Sequence, residues 1–174
     1  GLSGPRVEVS GAPIGAPTTL QVSASSDPPI TLSWTAPAGS PTSYDIKRSE
    51  VSGAEVSIGT SATTSYADTS ALPGMRYFYV VSARKFGEGP NSGRVNKRLR
   101  PAAPTGVSVV GDRISAMLSW AASSGAVSYS VHRGTVSGAH PRNFGNVVSP
   151  FVDTWLVEGQ RYYWVVRARN AAGG

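Results

Sequence analysis

Two histidines, ten acidic residues and no cysteine are the stock from which any catalytic or metal-binding chemistry in this chain must be drawn. Without cysteine there is neither a thiolate metal site nor a disulfide framework. His132 and His140 have no second pair at metal-ligand spacing, and His132, between Val131 and Arg133, reads as a surface residue of a strand. No Gly-x-Ser-x-Gly elbow is present to expose a nucleophilic serine. Gly87-Glu88-Gly89-Pro90-Asn91-Ser92-Gly93 is glycine-rich, but a phosphate cradle needs a helix after it. This run falls between strand-like segments and reads as a flexible interstrand loop. Asp68 and Asp153 occupy equivalent places in a duplicated pattern, which assigns them to fixing a turn rather than to acid–base work. The expectation is a chain without catalysis, cofactor or metal.

The elements around these residues are strands. Short runs rich in Val, Ile, Tyr and Trp are punctuated by Gly, Pro, Ser and Thr, and helical periodicity is nearly absent, the pattern of an all-β sandwich or barrel. Ile30-Thr31-Leu32-Ser33-Trp34 alternates cleanly, placing Ile30, Leu32 and Trp34 on one face. Tyr44 and Ile46 point inward from the next strand, and Tyr77, Tyr79, Val81 and Ala83 line one face of the longest. The pattern then recurs. Tyr44, Arg48, Asp68, Gly74, Tyr77 and Ala83 return about 85 residues later as Tyr129, Arg133, Asp153, Gly159, Tyr162 and Ala168. Val51-Ser52-Gly53-Ala54 returns letter for letter at 136–139. Aromatics at matching phase, Trp34 with Trp120 and Tyr79 with Trp164, are core positions. Trp155 breaks the correspondence, because Ser70 stands in its place in the first copy. It is either an exposed loop side chain, and then a candidate contact residue, or a local plug.

Several motifs agree in order and spacing with one family. Ala16-Pro17 leads into a strand, Trp34 lies in the second strand, and Asp68-Thr69 precedes Leu72-Pro73-Gly74 and Tyr77. Ala103-Pro104, Trp120, Asp153-Thr154, Val157-Glu158-Gly159 and Tyr162 repeat the series, with Glu158 in place of the turn proline. Each copy resembles a fibronectin type III domain, and the Ser/Thr/Gly-rich loops and missing cysteines resemble the bacterial secreted versions. The resemblance implies an all-β chain of two tandem immunoglobulin-like sandwiches, residues 13–100 and 101–174. It also implies that Tyr77 and Tyr162 form tyrosine corners, each hydroxyl bonded to backbone just upstream.

In such sandwiches the last strand, G, pairs with the sixth, F. The first copy supplies its own near Arg94–Leu99, but the second stops at Gly174, short of the equivalent segment. Residues 1–12 contain a similar stretch, Ser3-Gly4-Pro5-Arg6-Val7-Glu8-Val9, ahead of the first copy. The expectation is that Arg6, Val7, Glu8 and Val9 act as a donor strand. The acceptor would be the F strand of a neighbour's second copy, with Tyr163, Val165, Arg167 and Arg169 along it, giving a filament or adhesive surface fibre. The competing expectation is a spacer or weak glycan-binding module from a larger secreted carbohydrate-active enzyme or adhesin.

The formal charge is +6. Its basic residues are scattered apart from Arg94, Lys97, Arg98 and Arg100, with no interleaved aromatics or recognition helix, so nucleic acid is not an expected partner. Acidic glycans or a cell surface remain candidates beside self-assembly. No apolar run approaches the ~18 residues of a membrane span. A first residue other than Met reads as processing, and the chain is expected to be extracellular or at the cell surface.

Overall fold

The computed structural model describes residues 13–23 and 25–173; the expected donor residues Arg6, Val7, Glu8 and Val9 lie outside them. Every strand or helix assigned among the described residues is a strand, and contacts divide the chain into two compact units. In the first copy β1 (Thr18–Val22), β2 (Ile30–Thr35) and β5 (Ser65–Asp68) form one sheet in the order β1-β2-β5. The facing sheet runs β4-β3-β6-β7, from β3 (Ser43–Ser49), β4 (Val56–Ser61), β6 (Arg76–Arg84) and β7 (Glu88–Asn91), and β8 (Val95–Arg98) also pairs with β6. In the second copy β9 (Ser108–Gly111), β10 (Ser115–Ser119) and β13 (Phe151–Thr154) give the order β13-β10-β9. There β11 (Ser128–Gly134), β12 (Arg142–Val147) and β14 (Tyr163–Arg169) give β12-β11-β14.

Alternation sets what each sheet buries. In β2, Ile30, Leu32 and Trp34 are buried while Thr31, Ser33 and Thr35 are exposed, as a period of two requires when one face is covered. The Trp34 ring meets Tyr44 edge-on with centroids 5.2 Å apart, and Trp120 meets Tyr129 at 5.5 Å. Pairing register repeats as well. Tyr44, Ile46 and Arg48 oppose Ala83, Val81 and Tyr79, and Tyr129, Val131 and Arg133 oppose Ala168, Val166 and Trp164. The repeated Val-Ser-Gly-Ala makes the same turn twice, Ala54 and Ala139 each donating to the Val carbonyl three residues back at 3.2 Å. Gly53 and Gly138 sit at φ 94° and 81°, where a side chain would be strained.

Two expectations need correction. Asp68 and Asp153 do not merely fix turns. Each is a fully buried carboxylate at the end of its strand, received by an arginine of the facing sheet. Arg48 Nη1 donates to Asp68 Oδ2 at 2.6 Å, and Arg133 Nη1 donates to Asp153 Oδ1 at 2.8 Å. A third group, from β6 or β14, completes each clasp: Tyr79 Oη donates to Asp68 Oδ2 at 2.7 Å, and Trp164 Nε1 to Asp153 Oδ2 at 2.8 Å. Burial and the bond to Asp68 hold the Tyr79 phenol far above its ordinary range.

The glycine-rich run after β6 is the second correction. It is not simply a flexible loop, because Glu88–Asn91 forms β7 against β6. Glu88 is held there by Lys47, by Ser82 Oγ at 2.7 Å and by Arg84 Nη2 at 3.3 Å. Tertiary partners override the turn-forming tendency of its Gly and Pro. Strand β12 is also present where the amino-acid pattern gave no alternation to mark it.

Breaking a buried ion pair strands the remaining charge, which costs about 3–5 kcal/mol. Asp68→Ala and Asp153→Ala should therefore each lower the urea midpoint followed by tryptophan fluorescence, far more than Asp112→Ala at an exposed position. Equal midpoints for Asp153→Ala and Asp112→Ala would mean that the clasp contributes little.

Candidate functional site

The framework residues account for themselves by packing. Trp34, Trp120 and Tyr79 are buried and Trp164 is half-buried. Tyr77 is buried beneath the Arg48 guanidinium, 4.6 Å from its ring centroid. Tyr162 lies under Arg133 at 5.1 Å, and the Val157 N–H donates to its hydroxyl at 3.0 Å. These side chains are occupied in holding sheet to sheet.

Two surfaces of the second copy differ from their counterparts in the first. One is the free side of β14. In the first copy β7 and β8 both pair with β6, whereas among the described residues β14 pairs only with β11. Burial follows. Val80 and Ser82 of β6 are buried, but their equivalents Val165 and Arg167 are half-buried and exposed. Tyr163 is half-buried and Arg169 exposed. The charges diverge too. On this face of the first copy Lys47 and Arg84 meet Glu88 and Asp45. In the second, Ser130 replaces Asp45, and no acid pairs with His132, Arg167 or Arg169 among the described residues. Glu88 itself is held below the usual carboxylate range, chiefly by its bond from Lys47.

The other surface is the outward face of β13-β10-β9. Met117 opposes Val152 on one side and Val110 on the other, forming an exposed apolar row across three strands. The pattern of residues did not reveal this row, although a signal existed: the first-copy equivalents are Thr31, Ala67 and Ser23. Just past the end of β13, beyond Thr154, stands Trp155, 86% exposed, with φ at 62°. Of the two readings left open for this residue, the exposed side chain is the one found. Left-handed backbone at an aromatic residue costs of order 1–3 kcal/mol.

His132 senses the unbalanced charge. Burial, then Arg167, Arg169 and His140, push its pKa below the ordinary value, and its ring meets Ser130 Oγ at 3.1 Å. The folded state therefore takes up its proton at lower pH than the unfolded chain does. Its contribution is fully present above about 6.5 and is lost as pH falls through the folded pKa. Wild type should lose more stability than His132→Gln between neutral and mildly acidic pH, read as the shift in urea midpoint. Parallel pH profiles for the two proteins would contradict this.

Residues 15–98 match the family model described as Fibronectin type III domain. The chain is 29% identical over 177 aligned residues to Exoglucanase B of Cellulomonas fimi, covering 90% of this chain but only 15% of that relative. A two-domain fibronectin type III segment of chicken tenascin superposes with a TM-score of 0.62 at 20% identity, over 89% of this chain and 92% of that one. An Fn3-like protein from Clostridium thermocellum is 36% identical over 49% of this chain and 92% of its own, with a TM-score of 0.45. The first copy's match to the family model, the clasp and register repeated in the second, and the tandem fold shared with tenascin lead to one assignment: the first copy, residues 15–98, belongs to the fibronectin type III family, and the second is built on the same frame.

Proposed function

We propose that this chain is a non-catalytic spacer and presentation module of a larger extracellular, carbohydrate-active protein. The observation that carries the reading is the alignment with Exoglucanase B, which runs through both copies yet occupies a small part of that relative. The chemistry of the chain supports it. The three buried acids Asp45, Asp68 and Asp153 are all taken up in ion pairs with arginines. Val110, Met117 and Val152, which replace small or polar residues of the first copy, lie on an outward face, where a module meets its surroundings. On this reading the domains are 13–100 and 101–174, and no helix among the described residues is long and apolar enough to cross a membrane.

One observation favours a second reading, strand donation into a filament: among the described residues β14 pairs with β11 alone. An unpaired strand edge is a template for another strand. Arg6, Val7, Glu8 and Val9 alternate appropriately and would bring Glu8 to a face that carries Arg167 and Arg169.

The purified chain should release no sugar from soluble glycosides, and deleting it from a larger enzyme should leave turnover on a small soluble substrate unchanged. Sugar release by the chain alone would overturn the spacer reading. For the second reading, light scattering should show concentration-dependent oligomers that a peptide of residues 3–10 disrupts and that Val7→Asp with Val9→Asp abolishes. A monomer at every concentration would overturn the second reading.

A further inference from the structure

We propose that the outward face of β13-β10-β9 in the second copy is a binding platform for neutral glycans, with Trp155 as its stacking surface. The duplication acts as an internal control. Four positions that are polar or small in the first copy, Ser23, Thr31, Ala67 and Ser70, are Val110, Met117, Val152 and Trp155 in the second. Packing does not explain the change. Val110 is 64% exposed, Met117 44% and Val152 53%, while β9 keeps against β10 the register that β1 has against β2. A contiguous apolar patch with a polar rim marks a site of interaction.

The shape and chemistry of the patch select the occupant. Ile114 and Trp155 line one shallow concavity with Asp112, Ser115 and Thr154. Two apolar side chains and three oxygen-bearing ones suit a pyranose ring, which offers a flat C–H face and an equatorial edge of hydroxyls. Two residues along β10 and β13 from Ser115 and Thr154, Met117 opposes Val152, with Val110 on the next strand ~4.8 Å away, and this row offers apolar surface for further sugar units.

Charge decides which glycan. Asp112 accepts from the Arg113 N–H at 2.7 Å and has no ion pair among the described residues. The neighbouring guanidinium of Arg113 is engaged by Glu158 at 3.0 Å. A carboxylate so placed accepts hydroxyl donors and repels uronates and sulfates. Trp155, held in left-handed backbone, presents its indole with little protein covering it. The choice of a glucan as first ligand rests on the carbohydrate-active reading above; the platform geometry does not.

Calorimetric titration of the full 174-residue chain with cellohexaose tests the platform, with hexagalacturonate as the acidic counterpart. Saturable binding of cellohexaose is expected, lost in Trp155→Ser and weakened in Val110→Ser, Met117→Thr and Val152→Ala combined. Unfolding midpoints of both variants check that the fold is retained, and Trp155→Ser, at an exposed position, keeps it in either case. No binding to wild type, binding unchanged in Trp155→Ser, or preference for hexagalacturonate would each overturn the platform. So would a concentration-dependent dimer abolished by Trp155→Ser, which would make a second copy the occupant. These failures leave the spacer reading intact, because that reading falls only with sugar release by the chain or with a loss of turnover on a small soluble substrate when it is deleted.

Discussion

A buried carboxylate at the end of one sheet, neutralised by an arginine of the other, is the constraint around which each sandwich is arranged. Asp68 and Asp153 are about 1% exposed, and an unpaired charge at such a position would not persist. Arg48 and Arg133 must therefore extend across the layer. Arg48 lies over Tyr77 and Arg133 over Tyr162 on the way, so that one guanidinium fixes a charge, an aromatic ring and the separation of two sheets. The third participant differs, a phenol in one copy and an indole in the other, yet each donates one hydrogen bond to the same carboxylate at nearly the same length. The chemistry tolerates Tyr or Trp because what is required is a rigid aromatic donor.

With the interior fixed in this way, outward faces are free to diverge. The first copy resolves its charges internally, through Lys47, Arg84, Asp45 and Glu88. It also keeps polar side chains on β2, at Thr31, Ser33 and Thr35. The second presents cations along β14 and apolar side chains on β9, β10 and β13. Under the proposal above, one unit serves as scaffold and the other faces the glycan.

How far the amino-acid sequence revealed this follows from the range of the interactions. Alternation in β2, β3 and β6 is local, and the recurrence of Trp34, Tyr44 and Tyr77 in a second copy made the sandwich legible without coordinates. The clasp was not legible in full, since Arg48 and Asp68 lie far apart along the chain and an aspartate at a strand end also suits a turn. Strand β7 was hidden for the same reason. Its Gly and Pro favour a loop, and only Lys47 and Ser82, brought in by tertiary pairing, hold Glu88 against β6. The apolar row escaped because Ala116, Leu118 and Trp120 already satisfied the inward phase. Met117 gained meaning only once register placed it between Val152 and Val110.

The central claim is that two copies of one frame have been given different surfaces, and that the second faces the ligand. Amide and methyl NMR mapping of the chain during addition of cellohexaose tests this most directly. The account predicts shifts confined to Val110, Ile114, Met117, Val152 and Trp155, with Ser23, Thr31, Ala67 and Ser70 unmoved. Shifts of equal size at the first-copy positions, or none in either copy, would contradict it.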